Sequence, residues 1–259
     1  MTISIIKRLS LCLAAIAAVI VTAEAARAET KVSTTIESRV LLGLKVDDDA
    51  VGAFLPEGWT SLTLPKGPVA GANLIVSFIN RHQVLDPDGK PVDSTANMAV
   101  ALFAYAVKEG VPGPRGYVIR VYEEPPVVDT YGNSVPADIQ REATFEDAGG
   151  GNRALSELWT VRPDAGGMLT LDLVSKVGAF GWSKGGESRP YSSVNPDFFR
   201  IYRYDQLAAL LMNTNLGLKI DGKVSFSSSD PVFAEMFNGQ ETLVSVISIP
   251  TYVRDVWLP

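Results

Sequence analysis

The chain has 259 residues, a formal net charge of −6, 46% hydrophobic residues and 20% charged ones. An acidic balance without basic blocks argues against nucleic acids and anionic membrane surfaces as partners. A single cysteine, Cys12, and a single histidine, His82, exclude a disulfide scaffold and the usual zinc centre with its several His or Cys ligands.

The chain opens "MTISIIKRLSLCLAAIAAVIVTAEAARAET", which reads as a secretory leader. Lys7 and Arg8 form the basic start, and Leu9 to Val21 is an apolar run shorter than the roughly 20 residues a spanning helix needs. Ala26-Arg27-Ala28 fits the small-x-small cleavage pattern. The expectation is a signal peptide, 1–28, cleaved after Ala28, and a secreted protein that is periplasmic if the host is Gram-negative. The alternative is an uncleaved N-terminal anchor. Cys12 lies inside the apolar run and is not placed for a lipoprotein anchor. Losing Lys7, Arg8, Arg27 and Glu24, a net +2, leaves the mature chain near −8 and without a thiol. No later apolar run approaches a membrane span, so no stable membrane insertion is expected. Residues 29–259 are read as one domain.

Next comes "DDDAVGAFLPEGW", Asp47 to Trp59, a short helix opened by aspartates and stopped by Pro56 and Gly58. Most of the remaining segments alternate with period two, the signature of strands. In "VAGANLIVSFIN", Ala70, Ala72, Leu74, Val76 and Phe78 share a face. "NMAVALFAYAV" (97–107) is apolar on both faces, as for a strand covered on both sides. In "GYVIRVYEE" (116–124), strict alternation puts Val118, Arg120, Tyr122 and Glu124 on one face, and Tyr117, Ile119 and Val121 on the other. "LSELWTV" and "MLTLDLV" flank "RPDAGG" as a hairpin. "LGLKIDGKVSF" reads as a second hairpin around Asp221-Gly222. Asp205 is expected to cap a helix over "QLAALLM", and Asp230 another over "PVFAEMFN", with Pro231 at its first position and Gly239 past its end. "ETLVSVISIPTYVRDVW" is the last strand. The long loops expected are "HQVLDPDGKPVDSTAN", "PPVVDTYGNSVPAD" and "FGWSKGGESRPYSSVNP".

Few motifs carry chemistry. Gly181-Trp182-Ser183-Lys184-Gly185 matches G-x-S-x-G, but its flanks are loop-like and the sole histidine precedes the serine, so a nucleophile elbow is not expected. "DPDGKPVD" lacks the spacing and final glutamate of a calcium loop. "GGGN" (149–152) lacks the lysine of a phosphate loop. No metal site and no cofactor motif is read. Arg120, Tyr122 and Glu124 share a face with Val118. Turned inward they would line a polar patch suited to a carboxylate or carbonyl ligand; turned outward they are a solvated face. Glu157 and Asp172 on the following hairpin are further acid candidates.

The order of elements resembles the acetoacetate decarboxylase family and its wider superfamily. "SRVLLGLKVDDDAVGAFLPEGW" is similar to the family's first strand, acidic short helix and Leu-Pro-Glu-like turn. "GYVIRVYEEPPVVDTYGNSVPAD" resembles its aromatic strand, proline-containing acidic turn and active-lysine loop. "DPVFAEMFNGQETLVSVISIPTYVRDVWLP" resembles its tail. The resemblance implies a mainly β fold, a cone-shaped antiparallel β-barrel with two or three short helices and a central cavity, in a homo-oligomer. It implies that Arg39 matches a substrate-contacting arginine. The family's decarboxylases use a lysine amine as Schiff-base nucleophile. The matching place here is Pro136-Ala137-Asp138, and no lysine occurs between Lys108 and Lys176. The acid expected on the strand matching 97–107 is missing too.

The expectation is an acetoacetate decarboxylase-like barrel that binds a small organic acid or carbonyl compound without Schiff-base decarboxylation. Arg39, Arg120, Tyr122 and Glu124 would be the ligand-binding residues. The alternative is a carboxy-lyase, or another lyase or hydrolase, on the same scaffold. It would use Glu124, Glu157 or Asp172 as acid or base, or a relocated Lys108 or Lys176.

Overall fold

The computed structural model describes residues 28–92, 97–147, 149, 153–176 and 180–259. The expected leader, except Ala28, lies outside these residues, as do 93–96 of the first expected loop and 150–152 of the "GGGN" stretch. In chain order the elements are β1 (Thr30–Lys45), α1 (Asp48–Gly52), β2 (Thr60–Ser61), β3 (Leu74–Leu85), β4 (Met98–Val107), β5 (Arg115–Glu123) and β6 (Ser134–Asp147). Then follow β7 (Arg153–Pro163), β8 (Leu169–Lys176), β9 (Gly181–Ser188), β10 (Pro190–Ser192), β11 (Ile201–Asn213), β12 (Gly222–Ser228) and β13 (Thr242–Leu258). Two 3₁₀ turns, Thr214–Leu216 and Pro231–Phe233, complete the set. Among the described residues no helix is long and apolar enough to cross a bilayer.

The strands form one sheet in the order β12-β8-β7-β6-β5-β4-β3-β1-β13-β11-β9, with β10 beside β5 and β2 beside β4. Two features depart from the expected barrel. The sheet is mixed, because β5 runs parallel to both β6 and β10. It is also not closed by hydrogen bonds: β12 and β9 are its two ends.

Alternation along β1, β3 and β4 gives the sheet two apolar faces, and each carries a core. Val40, Leu42, Val76, Phe78, Val100 and Leu102 join the main core with Trp159, Leu171 and Phe233. The opposite face puts Ile79, Ala99, Val118 and Val121 with Tyr131 in a second cluster, and Ile247, Ile249 and Tyr252 in a third. Strand β4 is therefore covered on both sides, as its two-faced apolar pattern implies. The second face turns in on itself: Tyr204 of β11 acts electrostatically on half-buried Tyr105 of β4, although β1, β3 and β13 separate those strands along the sheet.

Local expectations fare unevenly. Asp47 caps α1, its Oδ1 accepting the Ala50 N–H at 2.9 Å, and the helix ends before Pro56. The hairpin between β7 and β8 is present, with Val161 opposite Leu169. "QLAALLM" is not a helix; it lies inside β11, paired to β13 and β9. Leu, Ala and Met prefer helix in isolation, but β13 supplies backbone partners along the segment and β9 along its first three residues, and that tertiary pairing wins. Asp230 does cap, accepting the Val232 N–H at 2.9 Å, yet only one 3₁₀ turn follows. Asp221-Gly222 is no hairpin turn: Gly222 starts β12, which pairs with β8. "GWSKGGES", expected as loop, is the edge strand β9.

Candidate functional site

The second face of the sheet carries a buried charge centre at one end. Glu37 on β1 is fully buried at 0% exposure. Its Oε2 accepts from Arg39 Nε at 2.7 Å and from Nη2 at 2.5 Å. Its Oε1 accepts from Arg254 Nη2 at 2.9 Å, and Arg81 Nε stands 3.9 Å away. Strand register brings these groups together. Glu37 lies opposite Arg81 of β3 and Tyr252 of β13, and Arg39 lies opposite Ile79, which faces Ala99, which faces Glu123 of β5. Arg81 reaches Asn97 Oδ1 through Nη1. Arg254 Nε donates to Thr35 Oγ1 at 3.2 Å.

Tyrosines wall the centre. The Arg39 guanidinium lies 4.0 Å from the Tyr252 ring centroid and that of Arg254 4.2 Å from Tyr202, both within cation–π range. Tyr252 stacks on Tyr204 at 4.9 Å, and the Tyr131 and Tyr202 hydroxyls are 2.5 Å apart. Glu123, 7% exposed, accepts the Val128 N–H at 2.9 Å and acts on Arg81.

The electrostatics follow from the geometry. Burial alone would raise the Glu37 carboxyl, but Arg254, Arg39 and Arg81, with the Thr35 hydroxyl, overcome it and hold the group down at about 2. Burial lowers Arg81, with Glu37 acting against that shift. Burial also pushes Tyr252 up to about 12 and Tyr131 well above its ordinary value, so both hydroxyls stay protonated donors at neutral pH. Three guanidiniums carry five N–H donors each, far more than Glu37, Thr35 and Asn97 accept. What the centre offers chemically is surplus positive charge and N–H donors in a shielded place. Arg39, Arg254 and Arg81 keep side-chain exposures of 12%, 11% and 18%.

Of the residues singled out in the sequence, Arg39 belongs to this centre and Arg120 does not. Arg120 lies opposite Leu102 on the main-core face, its guanidinium 5.6 Å from the Phe233 ring. Strict alternation fails on β5. The register shifts between Leu102 and Phe103, so Ile119 is an extra residue opposite no single partner. Tyr117 and Ile119 therefore join Tyr122 in the main core, while Val118 falls on the other face. Tyr122 is fully buried and donates to Asp230 Oδ2. Burial, with that bond to Asp230, pushes its hydroxyl far up.

Glu124 accepts the Met98 N–H at 2.5 Å and borders a cavity of about 490 Å³ with Asn97, Pro126, Ala137, Asp138 and Asp164. The two positions matching the family lysine thus sit on this cavity, next to the Asn97 that Arg81 holds. Ala137 is buried and Asp138 exposed. Lys108 donates instead to the Glu57 carbonyl at 3.1 Å, and Lys176 is exposed, so neither lines the cavity. Glu157 is buried and bonded to Arg141 at 2.9 Å and to the Trp159 indole N–H at 3.0 Å. Asp172 is exposed on the outer side of β8. His82 is exposed on β3, and Ser183 is exposed on β9. Among the described residues no group of three or more His, Cys, Asp or Glu is placed to hold a metal ion.

The structure of an enduracididine biosynthesis enzyme, MppR, with HEPES buffer bound superposes on this chain with a TM-score of 0.53 at 11% identity, over 88% of this chain and 86% of that one. The same enzyme complexed with pyruvate gives 0.51 at 12% identity, over 91% of each chain. The fold is acetoacetate decarboxylase-like. An acetoacetate decarboxylase-like enzyme from Sphingomonas wittichii RW1 superposes at 0.47 with 10% identity, over 87% of this chain and 90% of that one. No family model and no curated protein sequence matches the chain. Within the acetoacetate decarboxylase-like fold, this chain has no lysine at 137–138. The acids beside its arginines come from β1 and β5 rather than from β4.

Sequence reasoning missed Glu37, Arg81, Arg254 and Glu123. A weak signal existed: Glu37 and Arg39 are opposite charges two apart at the start of the apolar half of β1, so they share one face. Arg254 interrupts the last apolar strand in the same way.

Proposed function

We propose that this protein binds a small organic anion at the arginine centre formed by Arg39, Arg81 and Arg254. The observation that carries the reading is three guanidiniums converging on the buried carboxylate of Glu37. Buried cations are tolerated when paired, and here two carboxylates, Glu37 and Glu123, face three guanidiniums. A carboxylate offers the planar pair of acceptors that guanidinium recognises best. The two MppR complexes add weight, since pyruvate and HEPES each carry an acid group. Arg120 and Tyr122 act elsewhere, as a link between β5 and the Asp230 turn. Ligand binding proceeds without a Schiff base, because position 138 supplies an acid where the family has its lysine. Following the leader pattern, the mature protein begins at Glu29 and works outside the cytoplasm.

The test is isothermal titration with pyruvate against wild type and Arg81→Gln. Arg81 reaches Glu37 only at 3.9 Å, so this variant removes a recognition group while leaving the Glu37 bonds to Arg39 and Arg254. Binding to wild type, weakened at least tenfold in the variant, supports the reading. Equal binding, or none to either protein by pyruvate and other small carboxylates, overturns it.

The second reading, carboxylate acid–base chemistry, is favoured by the cavity beside Asn97. Glu124, Asp138 and Asp164 line it next to the anion centre. Turnover of a β-keto acid that Glu124→Gln abolishes without loss of binding would support it; a wild type that leaves β-keto acids intact would overturn it.

A further inference from the structure

The charge centre does not end at Arg81. Arg200, in the segment that leads into β11, follows two residues after Phe198, whose ring packs against Tyr131 at 5.9 Å, and its Nε is buried with no hydrogen-bond partner among the described residues. Arg254 acts on the same tyrosine and lies over the ring of Tyr202, whose hydroxyl bonds Tyr131. The shielded face therefore holds Arg39, Arg81, Arg254 and Arg200 against the carboxylates of Glu37 and Glu123, an excess of two positive charges. Glu124 does not offset them. It lies just past the end of β5, holds the Met98 N–H and borders the separate cavity beside Asn97. Tyr131 and Tyr252 stay protonated and contribute none.

The positive charge is also spread between two poles. Arg39 and Arg81 stand at the Glu37 end, and Arg200 stands at the Tyr131–Tyr202 end. Arg254 joins them, bonding Glu37 through Nη2 at 2.9 Å while its guanidinium covers Tyr202 at 4.2 Å. A second buried polar atom, Ser77 Oγ, also has no hydrogen-bond partner among the described residues; Ser77 alternates with Ile79 and Arg81 and so lies on this face.

The geometry points to a dicarboxylate as the ligand of this site. The inference rests on the anion-binding reading above and narrows it. A ligand with one carboxylate leaves one buried cation unbalanced. A short dicarboxylate sets one acid group against Arg39 and Arg81 and the other against Arg200, with the Tyr131–Tyr202 pair as further donors. Each acid group meets a guanidinium fork, the pairing with the best geometric match. A single compact dianion such as inorganic phosphate carries the same charge but serves only one pole.

The test is calorimetric titration of the purified protein at fixed ionic strength. The probes are malonate, succinate and glutarate, the monoanions propionate and butyrate, pyruvate, and inorganic phosphate. At least one dicarboxylate is expected to bind tenfold or more tightly than the monoanion of equal carbon count. Arg200→Gln is expected to remove that advantage while leaving pyruvate within twofold of wild type, and Arg200→Lys to restore part of it. Dicarboxylates no better than monoanions, or phosphate binding more tightly than any of them, would overturn the dicarboxylate assignment and leave the anion site standing. No binding by any probe would overturn both. An Arg200→Gln protein that loses pyruvate and succinate equally would show that Arg200 shapes the site as a whole, which also refutes the two-pole assignment.

Discussion

Replacing Glu37 by Gln tests the charge centre most directly. Glu37 is fully buried and carries bonds from Arg39 and Arg254. Its carboxyl titrates at about 2 in the folded protein against an ordinary 4.5. At 1.36 kcal/mol per pKa unit, ionised Glu37 contributes about 3 kcal/mol to folding. The folded pKa is depressed, so this stability is fully present above about pH 4.5 and is lost as the pH falls through about 2. Removing one partner of a buried ion pair leaves the others uncompensated and costs about 3–5 kcal/mol. Urea denaturation followed by the fluorescence of Trp59, Trp159, Trp182 and Trp257 measures it. The gap between wild type and Glu37→Gln should be about 3 kcal/mol or more at pH 7, and should close by about 1.4 kcal/mol per pH unit between 4.5 and 2. Taking the difference cancels the other carboxylates that titrate in that window. A gap under 1 kcal/mol at pH 7, or one that does not change with pH, would refute the argument. If Glu37→Gln fails to fold, Glu37→Asp keeps the charge, and its stability should retain the same acid dependence.

Three further outcomes are expected. Tyr122→Phe removes the donor to Asp230, a side chain only 4% exposed, and should lower stability by about 1–3 kcal/mol, read as a shift of the thermal midpoint. In Gly116→Ala the new Cβ meets Phe103 Cζ at 1.9 Å; the displaced ring should cost about 1–3 kcal/mol, and Phe103→Leu in the same protein should recover part of it. Borohydride treatment with pyruvate should leave the intact mass unchanged, whereas an adduct mapping to Lys108, Lys176 or Lys184 would show a surviving Schiff-base route.

How far the sequence could be read depended on how local each signal was. The Asp47 cap, the β7–β8 hairpin and the two-faced apolar run of β4 rest on neighbouring residues, and all three are found in the fold. The helix expected over 206–212 rested on local preference too, and there pairing with residues some forty positions downstream on β13 decided otherwise. The β5 bulge had no sequence mark, yet it changes which side chains share a face with Tyr122.

The sequence by itself determined the class of fold, the empty lysine position and the candidacy of Arg39. The class follows from period-two alternation along the chain, whereas the empty lysine position and the candidacy of Arg39 follow from the resemblance to the acetoacetate decarboxylase family. Only the tertiary structure decided that Arg39 meets Glu37, Arg81 and Arg254 rather than Arg120. Those partners come from three strands, β1, β3 and β13, at opposite ends of the chain. Their meeting is fixed by inter-strand register, and register depends on bulges and long-range ladders that no local stretch encodes.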